Sequence, residues 1–232
     1  MTDKEEIKGH LHPITQTIRQ AVEIFSELGF EVAEGPEIEE EFYNFDALNV
    51  PKDHPSRDMQ DTFWLKGVGK LLRTHTSPVQ IRYMQKNKPP IRIIAPGKVF
   101  RNEATDATHE AQFHQIEGLY VDTDVSVADL KGMLLLFAKK FFGEDAQVRF
   151  RPSFFPFVRP GFEVDVFFKG RWLEVAGAGI VHPNVLKAGG IDPKKYRGFA
   201  FGMGWDRWVM IKYGIDDIRM LYNGDLRLVN QF

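Results

Sequence analysis

Residues 90–121 read PIRIIAPGKVFRNEATDATHEAQFHQIEGLYV. Three strand-like runs lie in this stretch, Ile91 to Ile94, Lys98 to Arg101 and Gln112 to Val121, separated by turn-rich segments. Strands that follow one another without an intervening helix pair antiparallel. The same signal resumes further on at Gln147 to Arg151, Glu163 to Phe168, Trp172 to Ala176 and Phe199 to Phe201. The predicted fold class is therefore α+β, an antiparallel sheet flanked by helices.

The helices are set by apolar spacing. Ile14, Ile18, Val22, Phe25 and Leu28 recur on one helical face, with Pro13 suited to the first turn and Gly29 to the end. Phe30 to Val32 reads as a short strand before Gly35-Pro36, and the acidic stretch Glu37 to Phe45 as a short helix. Asn49 to Asp61, polar and holding Pro51 and Pro55, reads as a loop. Ser77-Pro78 starts a helix through Gln85, with Ser77 as its cap. A longer helix carries Leu130, Leu134, Phe137 and Phe141 on its buried stripe, with Ser126 and Asp129 as a capping pair and Gly143 as terminator. A last helix covers Trp205 to Tyr213 and ends at Gly214.

Bulk composition narrows the function classes. The chain has 232 residues, 43% of them hydrophobic, enough for one substantial core. Its 30 Lys+Arg against 32 Asp+Glu give no global field to attract a polyanion, so a nucleic acid must be met by a local patch or through a partner. With no cysteine, disulfides and thiolate metal sites are excluded. The N-terminus MTDKEEIKGH is charged and no run is long enough to span a bilayer, so the expectation is a soluble cytoplasmic protein without a membrane role.

Several clusters have ligand-shaped chemistry, each with an ordinary alternative. Arg101 follows an apolar strand and could hold a phosphate in a bidentate fork; a surface salt bridge is the plainer reading. Arg207 opens a helix behind Gly202-Met203-Gly204, where glycines admit a close ligand and a helix N-terminus favours anions, although the lysine ending of a Walker loop is absent. Phe113, Gln115 and Glu117 share one strand face, and a carboxylate beside an amide suits an ammonium group; a solvated sheet face would look the same. Phe155 and Phe157, on one side of an extended run, form an apolar wall for an aromatic ligand or a piece of core. His75 and Ser77 stand at a helix start, where capping alone accounts for Ser77. His109 and His114 lack metal-ligand spacing and read as ordinary polar residues.

Taken in order, these segments resemble the three signature regions of class II aminoacyl-tRNA synthetases: residues 12–36 motif 1, 91–121 motif 2 and 198–214 motif 3. The stretches TFW (62–64), LLRTHTSPVQIR (71–82), PIRIIAPGKVFRNE (90–103), ATHEAQFHQIEGL (107–119), RFRPSFFPF (149–157), GAGIVHPNVL (177–186) and GFAFGMGWDR (198–207) sharpen the resemblance to the α-subunits of bacterial phenylalanyl-tRNA synthetases. It covers nearly the whole chain as one catalytic domain, 1–232.

That resemblance implies ATP-dependent activation of L-phenylalanine to phenylalanyl-adenylate and, with partners, transfer to tRNA(Phe). Arg101 and Arg207 would be the catalytic pair on the α- and γ-phosphates, with Glu103 and Phe113 completing the ATP site. His75, Ser77, Gln115 and Glu117 would face the amino acid's ammonium and carboxylate, Phe155 and Phe157 its ring, and Ala200 the pocket floor. Mg2+ would accompany ATP; the glutamate that binds it in the family is Arg159 here, which leaves Glu174 and Glu163 as candidate ligands. A homodimer through motif 1 is implied, as is a β-subunit that carries editing and whose contact Arg159 alters. The family's N-terminal coiled coil is absent, so tight tRNA binding is not expected. Asp206 stands where the family usually has glutamate, between bulky Trp205 and Trp208. A second reading is a trimmed or redesigned core, non-catalytic or weakly active, that keeps the fold and the amino-acid pocket.

Overall fold

A computed structural model describes residues 9–57, 62–168 and 170–232. The last four residues of the expected 49–61 loop and most of the charged N-terminus lie outside them. In chain order, α1 (Pro13–Glu27) leads to β1 (Glu31–Val32), β2 (Ile38–Glu40) and α2 (Glu41–Asn44), followed by 3-10 turns at Asp46–Leu48 and Pro55–Arg57. Strands β3 (Trp64–Leu65) and β4 (Lys70–Leu72) precede α3 (Pro78–Met84), β5 (Ile91–Phe100) and β6 (Gln112–Asp122). After α4 (Val127–Phe142) come β7 (Gln147–Phe155), β8 (Val158–Phe168) and β9 (Arg171–Val181), then α5 (Pro183–Ala188), β10 (Arg197–Gly204) and α6 (Trp205–Tyr213). A 3-10 turn at Ile218–Leu221 and α7 (Leu226–Val229) close the chain.

The large sheet has the order β1-β5-β6-β10-β9-β8-β7, antiparallel except where β1 runs parallel to β5. The mixed α+β architecture with a dominant antiparallel sheet agrees with the sequence pattern. One detail differs: the runs at Ile91 and Lys98 form a single strand across Pro96-Gly97. Its partner β6 pairs continuously from Ile91↔Val121 to Phe100↔Gln112, and Gly97 is open because the Arg73 guanidinium lies against it. A Cβ at Gly97 would stand 2.2 Å from Arg73 Nη2. The segment expected as one acidic helix is divided. Ile38, Glu39 and Glu40 pair with Leu72, Leu71 and Lys70 in a small second sheet, and only Glu41–Asn44 is helical.

Two apolar clusters sandwich the large sheet. Below it, α1, α4 and α6 contribute Phe25, Phe137, Phe141, Trp205 and Trp208 against Phe199, Phe201 and Met203 of β10. The α4 stripe and its capping box are as the spacing predicts. On α1 the buried line is Ile14, Thr17, Ala21, Ile24 and Phe25, while Ile18, Val22 and Leu28 flank it. The face is turned because small Thr17 admits Trp205, whose indole N–H donates to Thr17 Oγ1 at 3.1 Å. Trp208 likewise donates to the Val175 carbonyl at 3.0 Å, so both tryptophans face the core. Above the sheet, Val79, Ile81, Ile93, Leu119, Val121 and Val185 form the second cluster under α3 and α5.

Gly118 of β6 lies over the ring of Phe201 on the neighbouring β10. A Cβ there would come 2.0 Å from Phe201 Cζ, and that ring is only 2% exposed and hemmed in by Phe25. Gly118→Ala is expected to destabilise the fold by roughly 1–3 kcal/mol through overpacking. Urea unfolding should register this as a lower midpoint at an unchanged slope; an unaltered midpoint would refute the tight contact.

Candidate active site

Strand register builds the floor of the site. Glu117 on β6 stands opposite Gly202 on β10, Gly202 opposite Gly177 on β9, Gly177 opposite Glu163 on β8, and Glu163 opposite Arg151 on β7. A trough two glycines wide thus separates the carboxylate of Glu117 from the Glu163–Arg151 pair. A Cβ at Gly202 would lie 3.3 Å from Glu117 Cγ, and one at Gly177 would lie 3.0 Å from the Phe155 ring.

Glu117 is 4% exposed. The Ser77 hydroxyl donates to its Oε2, and Gln80 Nε2 donates to the same oxygen at 2.9 Å. Burial pushes the Glu117 carboxyl up to about 7, against the pull of Ser77, the Thr76 backbone and Arg101. The folded chain therefore prefers this group protonated. The stability it contributes is full below the ordinary carboxylate value of 4.5 and is lost as pH rises through about 7. Ser77 does not cap α3, as the sequence suggests: its backbone is already helical and its hydroxyl is given to Glu117. Beside it, Gln115 Oε1 accepts from the Thr76 N–H at 3.3 Å. Burial, reinforced by the charge of Arg101, pushes His75 down to about 3, so its imidazole is neutral at physiological pH.

The aromatic wall arises differently from its sequence reading. Phe155 ends β7 and Phe157 lies in the turn that leads into β8, so a hairpin turn, not one extended strand, brings the two rings together. They stack with centroids 5.8 Å apart and planes 19° apart. Asn49, with a left-handed φ of 60°, steadies this turn by donating Nδ2 to the Pro156 carbonyl at 2.7 Å. Together with Leu48, Val50, Val181, Val185 and Ala200 the rings line a cavity of about 620 Å³ that reaches His75, Ser77, Gln80 and Glu117.

A second cavity of about 350 Å³ adjoins the first. The two share Arg101, Glu103, Gln115, Glu174, Gly177 and Gly202. Beyond them the second is lined by Phe113, His109, Glu110, Gly204, Asp206 and Arg207. Arg101 emerges just past β5, donates Nε to the Thr74 carbonyl at 3.3 Å, and lies over the Phe113 ring at 5.0 Å. Arg207 projects from the exposed side of the first turn of α6. The exposed His109 pairs with Asp106 within the loop after β5, and His114 bonds Tyr222.

The carboxylates considered for a metal have different surroundings. Glu163 is engaged by Arg151 at 2.7 Å and by the Ser153 hydroxyl at 3.0 Å. Glu174 borders both cavities, with Arg151 at 3.5 Å. Arg159 is exposed on β8. Among the described residues no three His, Cys, Asp or Glu side chains converge to hold a metal ion by themselves.

Sequence reasoning missed Gln80 and Arg73. Gln80 was legible, because it lies three residues beyond Ser77 on the same helical face. Arg73 had no local signal. It is 4% exposed and its guanidinium donates to the carbonyls of Lys98 at 2.8 Å, Gly35 at 2.9 Å and Pro36 at 3.3 Å, which joins the Gly-Pro break to β5. Arg151 was missed as well, since only register sets it beside Glu163 and Glu174.

Comparison with known proteins agrees with this architecture. The family model described as tRNA synthetases class II core domain (F) matches residues 1–232. The chain is 57% identical to the phenylalanine--tRNA ligase alpha subunit of Laribacter hongkongensis, over 97% of this chain and 68% of that one. It is 55% identical to the protein of the same name from Dechloromonas aromatica, over 99% and 72% of the two chains. Among solved structures, pyrrolysyl-tRNA synthetase from Desulfitobacterium hafniense matches with a TM-score of 0.72 over 91% of this chain and 73% of that one, at 20% identity, a likeness of fold alone. No helix among the described residues is long and apolar enough to cross a membrane. With its whole length matched by the family model and its relatives more than half identical, the chain belongs to the class II aminoacyl-tRNA synthetases, among the phenylalanine--tRNA ligase α-subunits.

Proposed function

We propose that this chain uses ATP to convert L-phenylalanine into phenylalanyl-adenylate and then passes the phenylalanyl group to tRNA(Phe). The observation that carries the reading is the continuity of the two cavities: an aromatic-walled pocket and an arginine-flanked one meet at Gln115, Gly177 and Gly202. A carboxylate extending from the first pocket would enter the second at Arg101.

In this reading the ring of phenylalanine lies against Phe155 and Phe157 over Ala200. Its ammonium group faces Glu117 and Gln115, with Ser77 and neutral His75 beside them. A carboxylate oxygen forms a bond to the α-phosphorus while the bond to the leaving pyrophosphate breaks and carries its electron pair away. Arg101 offsets charge at the α-phosphate and Arg207 at the γ-phosphate, while Glu103 and Phe113 orient the adenine. Such a step needs positioned charge and no protein nucleophile. A ribose hydroxyl of tRNA(Phe) then attacks the acyl carbon and AMP leaves. Magnesium, arriving with the ATP substrate, would neutralise phosphate charge. An ion that keeps phosphate and water ligands needs only one or two protein carboxylates, a role that Glu174 suits at the junction of the cavities. Glu163 is less suited, since Arg151 and Ser153 hold it.

The alpha-subunit name of the relatives suggests a β chain as partner. The exposed apolar side chains Leu11, Val32, Ile38 and Phe42 around motif 1 favour, in addition, a homodimer contact there. Residues 1–232 then act as one catalytic domain, and the cytoplasm, where charged tRNA is used, is its place of work. A purely structural module has no need of a buried carboxylate whose ionisation opposes folding, so Glu117 favours the enzyme over a non-catalytic scaffold.

Phenylalanine-dependent exchange of pyrophosphate into ATP by the full chain tests the reading directly. Arg101→Ala and Arg207→Ala are each expected to lower kcat/KM by roughly 10²–10³-fold; exchange at the wild-type rate in both would sink it. A second expectation concerns pH. Because burial pushes the Glu117 carboxyl up to about 7, binding an ammonium group against its carboxylate requires loss of that proton. Phenylalanine affinity should therefore rise by up to about tenfold per pH unit from 5 to 7 and then level off. Titration calorimetry of Glu117→Gln should find weaker binding without that slope. At the floor, Ala200→Gly is expected to admit p-chlorophenylalanine in the exchange assay and Ala200→Val to exclude it; unchanged selectivity in both would place the ring elsewhere.

A further inference from the structure

Asp206 precedes Arg207 in the first turn of α6, borders the second cavity and is 1% exposed. Its Oδ2 accepts the backbone N–H of His114 on β6 at 2.8 Å and the phenol O–H of Tyr222 at 2.8 Å. With the Tyr222 proton directed at Asp206, the phenol oxygen is left to accept from His114 Nδ1, 3.0 Å away, which sets the tautomer of that ring. The two rings stack with planes 9° apart. Asp206 Oδ1 is buried without a hydrogen-bond partner among the described residues, with His114 Nδ1 3.5 Å away, so the hydrogen bonds to this carboxylate come from the two donors at Oδ2.

Tyr222 belongs to the segment that follows α6, and that segment touches the other rim of the same cavity. The Ile218 N–H donates to the Ala107 carbonyl at 2.9 Å, in the loop after β5 that also carries Glu103. Ile218 itself lines the cavity. One short stretch, 217–222, thus ties the loop by its backbone and α6 by its phenol. Arg207 has a long, exposed side chain, and what the fold can fix is the position of the helical turn that bears it.

We propose that Tyr222 is a positioning residue for the nucleotide: through Asp206 it holds the first turn of α6 against β6, and so keeps Arg207 aimed over the cavity that Arg101 and Phe113 line. Removing the phenol oxygen leaves Asp206 Oδ2 with a single donor and a buried charge less well compensated. The turn then loses its lateral anchor, and a small misplacement of a charge-stabilising group is costly for a reaction that depends on position. The inference rests on the reading of Arg207 as a triphosphate ligand.

The test is a double-mutant cycle on the full chain, with ATP and magnesium chloride as the probe in calorimetry and phenylalanine affinity measured in parallel. Tyr222→Phe is expected to weaken ATP binding roughly tenfold, as loss of a hydrogen bond to a charged group would, and to leave phenylalanine affinity within about twofold. In an Arg207→Ala background, Tyr222→Phe should cost ATP binding nothing further, because the effect runs through the arginine. Asp206→Ala, which removes the oxygen that Tyr222 and His114 share, should weaken ATP binding at least as much as Tyr222→Phe does and guards against an idiosyncratic phenylalanine variant. Additive losses in the double variant, or a parallel fall in phenylalanine affinity, would mean that Tyr222 only stabilises the fold and would overturn the proposal. If Arg207→Ala alone leaves ATP binding unchanged, the failure belongs to the reading of Arg207 itself, and the positioning role falls with it.

Discussion

The buried carboxylate of Glu117 is the constraint around which the site is arranged. An ionised group at 4% exposure is costly unless donors surround it, and two side chains supply them: Ser77, just before α3, and Gln80 in its first turn. The compensation is incomplete, since the carboxyl is still pushed up to about 7. An apolar neighbour across the strand pair would fill the space that a ligand needs; glycine at 202 leaves it open. The carboxylate is thus held in one orientation, poorly solvated, and facing a trough, a state that a cation placed there would relieve.

Such a group can be kept only on a stiff support. Beneath the sheet the rings of Phe25, Phe137, Phe141, Trp205 and Trp208 pack on the underside of β10, and both indole N–H groups find acceptors. This layer fixes the strand that carries Ala200 and Gly202 and the helix that carries Asp206 and Arg207. Above the sheet, Arg73 does comparable work with hydrogen bonds, joining residues 35 and 36 to Lys98 at the end of β5 where Arg101 emerges. The packed lower face and the open upper face follow from the two-residue alternation of β6 and β10, in which Ile116, Phe201 and Met203 point down while Glu117, Ala200 and Gly202 point up.

Much of the fold was legible along the chain. The stripe of α4 and its capping box, the proline start of α1, the full extent of α6 and the strand character of residues 91–94, 98–100 and 112–121 rest on local chemistry, which a sequence states directly. Failures came where a distant partner overrode the local signal. Pro96-Gly97 looks like a turn, yet β6 and Arg73 hold it straight; Ile38 to Glu40 look helical, yet Leu71 and Leu72 pair them as a strand. Ser77 looks like a cap, yet Glu117, forty residues away, takes its hydroxyl.

For the site, local sequence sufficed to say which chemical groups are present and which share a strand face or a helical turn: Gln115 with Glu117, Arg101 at a strand end, Arg207 at a helix start, and an order of motifs that resembles one enzyme class. It took the assembled fold to show that Glu117, Gly202, Gly177, Glu163 and Arg151 form one row across five strands, that a turn stacks Phe155 on Phe157, and that Asp206 leans on Tyr222. The reason is physical. Periodicity fixes the direction of a side chain relative to its own backbone, whereas register between strands is set by long-range hydrogen bonding and packing, and it is register that brought these residues within reach of one another.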